Sequence, residues 1–480
     1  MLTAGFELPS ALATSHSINN RRGVIFGSEF KVSKTEACVI EAAWSNLKAL
    51  KEAHLSPHSM RLTDMTAHSR PALPVLPCLL LQNVFLTTLI ALRPRWPARS
   101  VAFLVYTYAL ALALKSTAGS PSRDFPIGCM LMKQFFTAFH LLWLTDPLNE
   151  FRHERDYVSP GKLPFLRRMY WALCVFYSPR GVGWNYEIAN VPPRTSQPRW
   201  KFVREQLTRA LRWYLLADFA KAYQGSLLSS SPSADLFSVS SQGHIRRCLN
   251  ILAISSSMFA FLALEYSLLA ALFVALGWSP PRDWPDVYGA WSESFTIRRF
   301  WGLSVPLLAS MPQNAADAPY RRKYHQLVRR YATSIGKMFC HLMSIRAGSW
   351  GSSYTQLYVG FAVSGLMHCG GDFMVGRPLA SFPFFVAQAI AISLEDAAIY
   401  AAKRVGLTLP ERLGRLIGYI WVFTWLYISI PWYLDWAVKA GAVDTRSLPF
   451  SLTVLLASSV ASSVARLATG LGVSLVLTVA

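Results

Sequence analysis

Nine apolar blocks follow a polar start, near residues 72–92, 99–115, 127–145, 209–228, 248–278, 353–374, 381–401, 416–438 and 449–478. Each approaches the roughly 20 residues that carry an α-helix across bilayer hydrocarbon. Their alternation with polar connectors predicts an all-α, multi-pass transmembrane helical bundle of about 8–9 spans. The block at 209–228 fits least well, and the one ending at Trp278 is long enough to be tilted, kinked or two short pieces. Residues 1–68 hold no run of spanning length, and Met60 and Met65 stand just before the first apolar block. That stretch reads as a disordered extension or an overextended gene model, and 69–480 as the transmembrane domain. The chain does not open with a basic stretch and a compact apolar run, so the first span is expected to serve as its own insertion signal.

Composition supports a bilayer as the solvent. Of the 480 residues 52% are hydrophobic and only 15% charged, with a mean hydropathy of +0.29, more apolar side chain than a soluble core of this size buries. The net charge of +21, from 47 Lys and Arg against 26 Asp and Glu, would in a soluble chain raise the question of nucleic acid. Here the cations gather between the apolar blocks, which argues against nucleic acid as a partner. Loops 93–98, 146–208, 279–352 and 402–415 are basic and fall on one side, whereas 116–126, 375–380 and 439–448 carry few cations. Such asymmetry marks the cytosolic face, with Arg246 and Arg247 as the exception. Seven scattered cysteines without a CxxC pair suggest neither a disulfide framework nor a metal site. Ser-rich 226–241 reads as a flexible connector.

Two segments could carry chemistry. In Val359 to Asp372 a histidine, His368, stands at the polar end of an apolar helix among Ser364, Gly365, Gly370 and Gly371. Ionisable groups so placed tend to face an interior or a wet cavity, and small residues let a substrate or another helix approach closely. A histidine hydrogen-bonded in helix packing is the alternative. The second segment, Tyr324-His325-Gln326-Leu327-Val328-Arg329-Arg330, lies in the largest basic loop after Arg298-Arg299-Phe300-Trp301-Gly302. Arginines beside aromatic rings suit a ligand with phosphates and a planar base, as coenzyme A has, and equally suit lipid headgroups. Asp218 and Glu265, in or beside apolar blocks, are expected to be paired in a structural salt bridge, with orienting a histidine as the alternative. Asp372 would share a helical face with His368 if the helix runs through Gly370 and Gly371.

Taken in order, Arg180-Gly181-Val182-Gly183-Trp184-Asn185, Trp213 to Asp218, Arg299-Phe300-Trp301-Gly302, Tyr324-His325-Gln326, Ser364 to His368, Phe384-Phe385 with Leu394-Glu395-Asp396, and Gly418 to Val422 resemble the fungal wax-synthase-like acyltransferases. These are relatives of the membrane-bound O-acyltransferases and include acetyltransferases of terpenoid and polyketide pathways. The resemblance covers about residues 70 to 440. It implies transfer of an acyl group, acetyl from acetyl-CoA, to a hydroxyl of a lipophilic terpenoid or polyketide in secondary metabolism, with a long-chain wax ester synthase or a transporter or scaffold as alternatives. The implied setting is the endoplasmic reticulum membrane, and no bound cofactor or metal is implied beyond the acyl-CoA co-substrate. His368 would be the base, His325 and Gln326 would orient the thioester, and Arg298, Arg299, Trp301, Arg329 and Arg330 would hold coenzyme A. In the family the Phe-Trp-Gly and aromatic-His-Gln elements are nearly adjacent. Here residues 303–322 separate them, an insertion of the size of a retained intron.

Overall fold

A computed structural model of the chain describes residues 70–187, 192, 194–229, 239, 243–287, 291–301, 329–407, 409–443, 448 and 450–470. Every described residue belongs to one compact unit, 62–480. The predicted 1–68 extension and 303–322 insertion, His325, Gln326 and the side chain of Arg329 lie outside the described residues.

The principal helices are α1 (Val75–Leu92), α2 (Trp96–Leu114), α3 (Pro121–Phe139, prolonged by a π turn to Leu144), α4 (Phe165–Tyr177), α5 (Arg199–Ser229) and α6 (His244–Ala275). They continue with α7 (Ile297–Trp301), α8 (Arg329–Leu342), α9 (Trp350–Val375), α10 (Phe382–Arg404), α11 (Glu411–Lys439) and α12 (Leu452–Gly470). Among the described residues no strand forms, only the isolated bridges Ala72 to Thr117 and His153 to Trp184. The all-α expectation holds.

Six helices are long and apolar enough to cross a membrane: α1, α2, α3 with its π turn, α6, α10 and α11. The three other predicted blocks are also helical, but fall outside that set among the described residues. Block 209–228 lies inside α5, whose arginines dilute its apolar positions; block 353–374 is α9; block 449–478 contains α12. The long block before Trp278 is one continuous 32-residue helix, not two short pieces. At 1.5 Å per residue it measures about 48 Å, more than the bilayer core, so it must tilt or project.

α9 is the centre of the bundle. Ser349 caps its start by accepting from the Ser352 amide at 3.1 Å, and Gly376, with φ of 82°, ends it in the left-handed conformation. Helices α3, α8 and α10 pack around it, with Phe125 meeting Gly371 and Phe136 clustering with Val363, so α3 runs antiparallel to α9. A methyl group added to Gly128 would strike the Gly370 carbonyl, and one added to Gly370 would strike that of Gly128. The two backbones therefore touch, which is how small residues let membrane helices associate where apolar burial gives little drive. The Arg246–Arg247 exception to the loop-charge pattern has a local cause: Arg247 lies 4.2 Å from the Tyr427 ring and donates to the Tyr427 carbonyl at 2.8 Å, anchoring α6 to α11.

Candidate active site

His368 stands in α9 two residues before the glycine crossing, boxed by rings from three other helices. Phe385 of α10 stacks on it at 4.4 Å between centroids, 17° from parallel. Phe125 of α3 and Tyr433 of α11 each lie 6.2 Å away, Tyr433 edge-on. Cys129, one turn along α3 from Phe125, sets its sulfur 3.7 Å from His368 Nδ1 and 3.9 Å from the His368 carbonyl oxygen. Nδ1 is thus the nitrogen turned toward α3.

The glycines that place the ring were noted in the sequence, and their partners are now identified. Gly370 and Gly371 admit α3, and Gly365 admits the Phe382 ring and the Cβ of Phe385. Asp372 does continue the helix, but both of its carboxylate oxygens serve Ser381, accepting from the amide at 2.7 Å and the hydroxyl at 2.6 Å. It therefore fastens the start of α10, and with it Phe385. Beside Phe125, buried Asp124 accepts from Arg70 at 3.0 Å and from Thr117 Oγ1 at 2.8 Å, tying down the first turn of α3.

Phe300 and Trp301 of the Phe-Trp-Gly element enter the bundle in the short helix α7, and Gly302 lies outside the described residues. Acceptors along α10 hold it: Glu395 takes the Ile297 amide at 2.7 Å, Asp396 pairs with Arg298, and Gln388 Oε1 takes the indole N–H of Trp301 at 3.1 Å. Gln388 Oε1 also accepts from Trp425 of α11 at 2.9 Å, and Glu395 from Trp421 at 3.1 Å. Trp301 then lies 6.2 Å from Phe384, which is 5.2 Å from Phe385. A continuous aromatic file thus joins Trp301 to His368.

The cations predicted for the donor are not gathered at one place. Arg298 is paired with Asp396, and Arg299 bonds Glu293 at 2.8 Å beneath the Phe295 ring, 4.1 Å away. Arg330 lies at the far end of α3, where it donates to His140 Nε2 at 3.0 Å and packs against the adjoining rings of Tyr186 at 3.9 Å and Phe151 at 4.5 Å. Cys129 and His140 are 11 residues apart on α3, about 16 Å along its axis. Tyr331, next to Arg330, bridges part of that interval: it stacks on Phe136 at 5.9 Å and its hydroxyl lies 3.5 Å from Met367 Sδ.

Asp218 is hydrogen-bonded rather than ion-paired. It accepts from the Thr453 amide at 2.8 Å and hydroxyl at 2.9 Å, capping α12. Glu265 is exposed on α6, not paired in the interior. No group of three or more His, Cys, Asp or Glu suited to a metal occurs among the described residues. Sequence reasoning missed Phe125, Gly128, Cys129, Gln388 and Tyr433. Gly128 alone left a signal, as a glycine inside an apolar span.

Comparison with known proteins bears on the family of the chain. The sequence profile of the membrane bound O-acyl transferase family matches residues 321–387, which takes in α8, α9 and the rings at the start of α10. That of the aspirochlorine biosynthesis protein F C-terminal domain matches residues 198–275, the α5–α6 pair. Acetyltransferase ple2 of Rhodocybe pseudopiperita is 30% identical over 78% of this chain and 94% of its own length. Acetyltransferase eriL of Hericium erinaceus is 25% identical over 73% and 87%, and O-mevalon transferase yanI of Aspergillus niger 26% identical over 74% and 84%. No solved structure matches the chain. This chain belongs to the membrane-bound O-acyltransferase family and is an O-acyltransferase integral to a membrane.

Proposed function

We propose that the enzyme transfers acetyl from acetyl-CoA to a hydroxyl of a terpenoid or polyketide intermediate, in the endoplasmic reticulum membrane, with His368 as the general base. The observation that carries this reading is the ring box around His368: an imidazole stacked on Phe385 and flanked by Phe125 and Tyr433 offers an apolar acceptor both contact surface and a base. With Nδ1 turned to the Cys129 sulfur, Nε2 is the nitrogen proposed to take the hydroxyl proton. The alcohol oxygen attacks the thioester carbonyl carbon, the carbon–sulfur bond breaks, and the imidazolium returns its proton to the departing thiolate. A single histidine can serve both steps, and no acyl-enzyme forms, so Cys129 and Cys369 need no nucleophilic role.

For the donor, Trp301 at the head of the aromatic file is proposed to contact the acyl-CoA, with His325 and Gln326 orienting the thioester oxygen. Arg298, Arg299, Arg329 and Arg330 are proposed for the coenzyme A phosphates. Since Arg298 and Arg299 already hold carboxylates, their contribution requires exchange of those partners on binding, which makes Arg330 the stronger anchor. Microsomes containing the full chain, supplied with acetyl-CoA or palmitoyl-CoA and a panel of terpenoid and polyketide alcohols, test the assignment. Acetyl ester formation is expected; exclusive use of palmitoyl-CoA would instead make the enzyme a wax ester synthase.

A further inference from the structure

A cavity of about 400 Å³ opens between α5 and α6, away from the ring box: none of its lining residues contributes to the His368 surroundings. Arg209, Arg212, Trp213 and Leu216 of α5 form one wall, and Tyr266 of α6 with Asp286 forms the other. A second cavity of about 310 Å³ shares Arg209 and Arg212 and adds Arg204. The wall at Asp286 is rigidly built. Buried Arg180 donates to the Pro285 carbonyl at 2.8 Å and the Asp286 carbonyl at 3.1 Å, while Tyr266 donates its hydroxyl to Pro285 at 2.6 Å. The arginine of the Arg-Gly-Val-Gly motif thus shapes this cavity rather than reaching the reaction centre.

The cavity's charge is unbalanced. Asp286 is matched by Arg209, which leaves Arg204 and Arg212 against Glu205 alone in the two cavities. Arg204 and Arg212 are exposed and, among the described residues, hold no ion pair. They stand eight residues apart, so with Thr208 they form one stripe along α5. Three residues on from each of these three lies the next stripe, Leu207, Leu211 and Leu215, all exposed at 43% or more, with Phe219 extending it. Apolar side chains in this number belong against hydrocarbon, so the helix presents cations and lipid-facing leucines side by side. α5 is too polar to be counted as a span, and this pairing is the reason it nevertheless suits the bilayer edge.

We propose that the two adjoining cavities along α5, which share Arg209 and Arg212, bind a phosphate ester, specifically the headgroup phosphate of an anionic phospholipid whose acyl chains follow the leucine stripe. Arg204 and Arg212 would take the phosphate oxygens, Trp213 would sit at headgroup level, and the apolar stripe favours a lipid over the nucleotide of a soluble donor. The test is native mass spectrometry of the detergent-solubilised full chain titrated with phosphatidylinositol, phosphatidylcholine or 3′,5′-ADP. Phosphatidylinositol is expected to be retained at least tenfold more tightly than phosphatidylcholine. The double variant Arg204→Gln/Arg212→Gln is expected to lose that preference, and Arg204→Lys/Arg212→Lys to keep most of it. Equal retention of both lipids, or a preference untouched in the glutamine variant, would overturn the site. Displacement of the lipid by 3′,5′-ADP in the wild type but not in the glutamine variant would keep the phosphate site and overturn the lipid assignment.

Discussion

α6 and α9 are both long helices of the same bundle, yet they solve opposite problems. α6 reaches a mean hydropathy of 2.0 over its most apolar stretch and buries 10 of its 32 residues, several of the rest being leucines with half their surface exposed. α9 is not apolar enough to be recognised as a span, and it buries 13 of its 26 residues, among them Ser352, Ser353, Gly360, Ser364, Gly365, Gly370, Gly371 and Asp372. The difference is one of neighbours. A helix against lipid must be greasy, whereas a helix enclosed by other helices must be small where backbones meet and can be polar where partners accept its groups. The helix bearing the proposed base is of the second kind, so a hydropathy threshold tuned to lipid-facing helices passes over it.

The sharpest way to break this contrast is to remove the imidazole. His368→Ala is expected to lower kcat by about 10²–10⁴ while the protein remains in the membrane fraction, because the cost falls on chemistry and not on insertion. Assaying microsomal ester formation beside a membrane flotation gradient checks both halves, and normal turnover in this variant would remove His368 from the mechanism.

Next in size is the glycine crossing. Gly128→Val must push apart two backbones already in contact, an overpacking cost of about 1–3 kcal/mol or more, and a marked drop in melting temperature with loss of activity is expected. Gly414 is the internal control: a methyl there meets nothing within 4 Å, so Gly414→Ala should be neutral or stabilising by up to about 1 kcal/mol. Equal responses at the two glycines would dissolve the distinction between an enclosed and a lipid-facing helix.

A smaller effect is expected at the α7 mooring. Gln388→Leu leaves the indole donors of Trp301 and Trp425 without their acceptor, at about 1–3 kcal/mol for each unsatisfied group. Because Trp301 heads the aromatic file, KM for the acyl donor should rise more than kcat falls. An unchanged KM would separate α7 from donor binding.

The smallest effect lies outside the spans. Hydrogen bonding to Arg194 holds the Glu154 carboxyl below the usual carboxylate range. A depressed carboxyl contributes stability above its unfolded pKa and loses it as pH falls through the folded value. Both side chains are about one-third exposed, so solvent screens the pair. The gap in melting temperature between wild type and Arg194→Met should be modest near pH 6 and narrow toward about pH 4; a gap that widens on acidification would show that the pair does not act this way.

The sequence by itself determined that this chain is a helical membrane protein, because spanning length and apolar content are one-dimensional properties that the bilayer imposes on each segment separately. It also singled out His368, since an ionisable side chain among glycines and apolar residues is locally conspicuous. Phe384, Phe385, Glu395 and Asp396 were visible as pieces of the family pattern, though without their roles. Tertiary structure alone decided what surrounds His368. Phe125 and Cys129 stand more than 230 residues before His368 and Tyr433 65 residues after it, and nothing local marks them out from other buried side chains. It also decided that Asp372 and Asp218 cap helices instead of orienting a histidine or closing a salt bridge. A carboxylate is satisfied by whichever donors the packing brings within 3 Å, and spacing along the chain does not encode that choice.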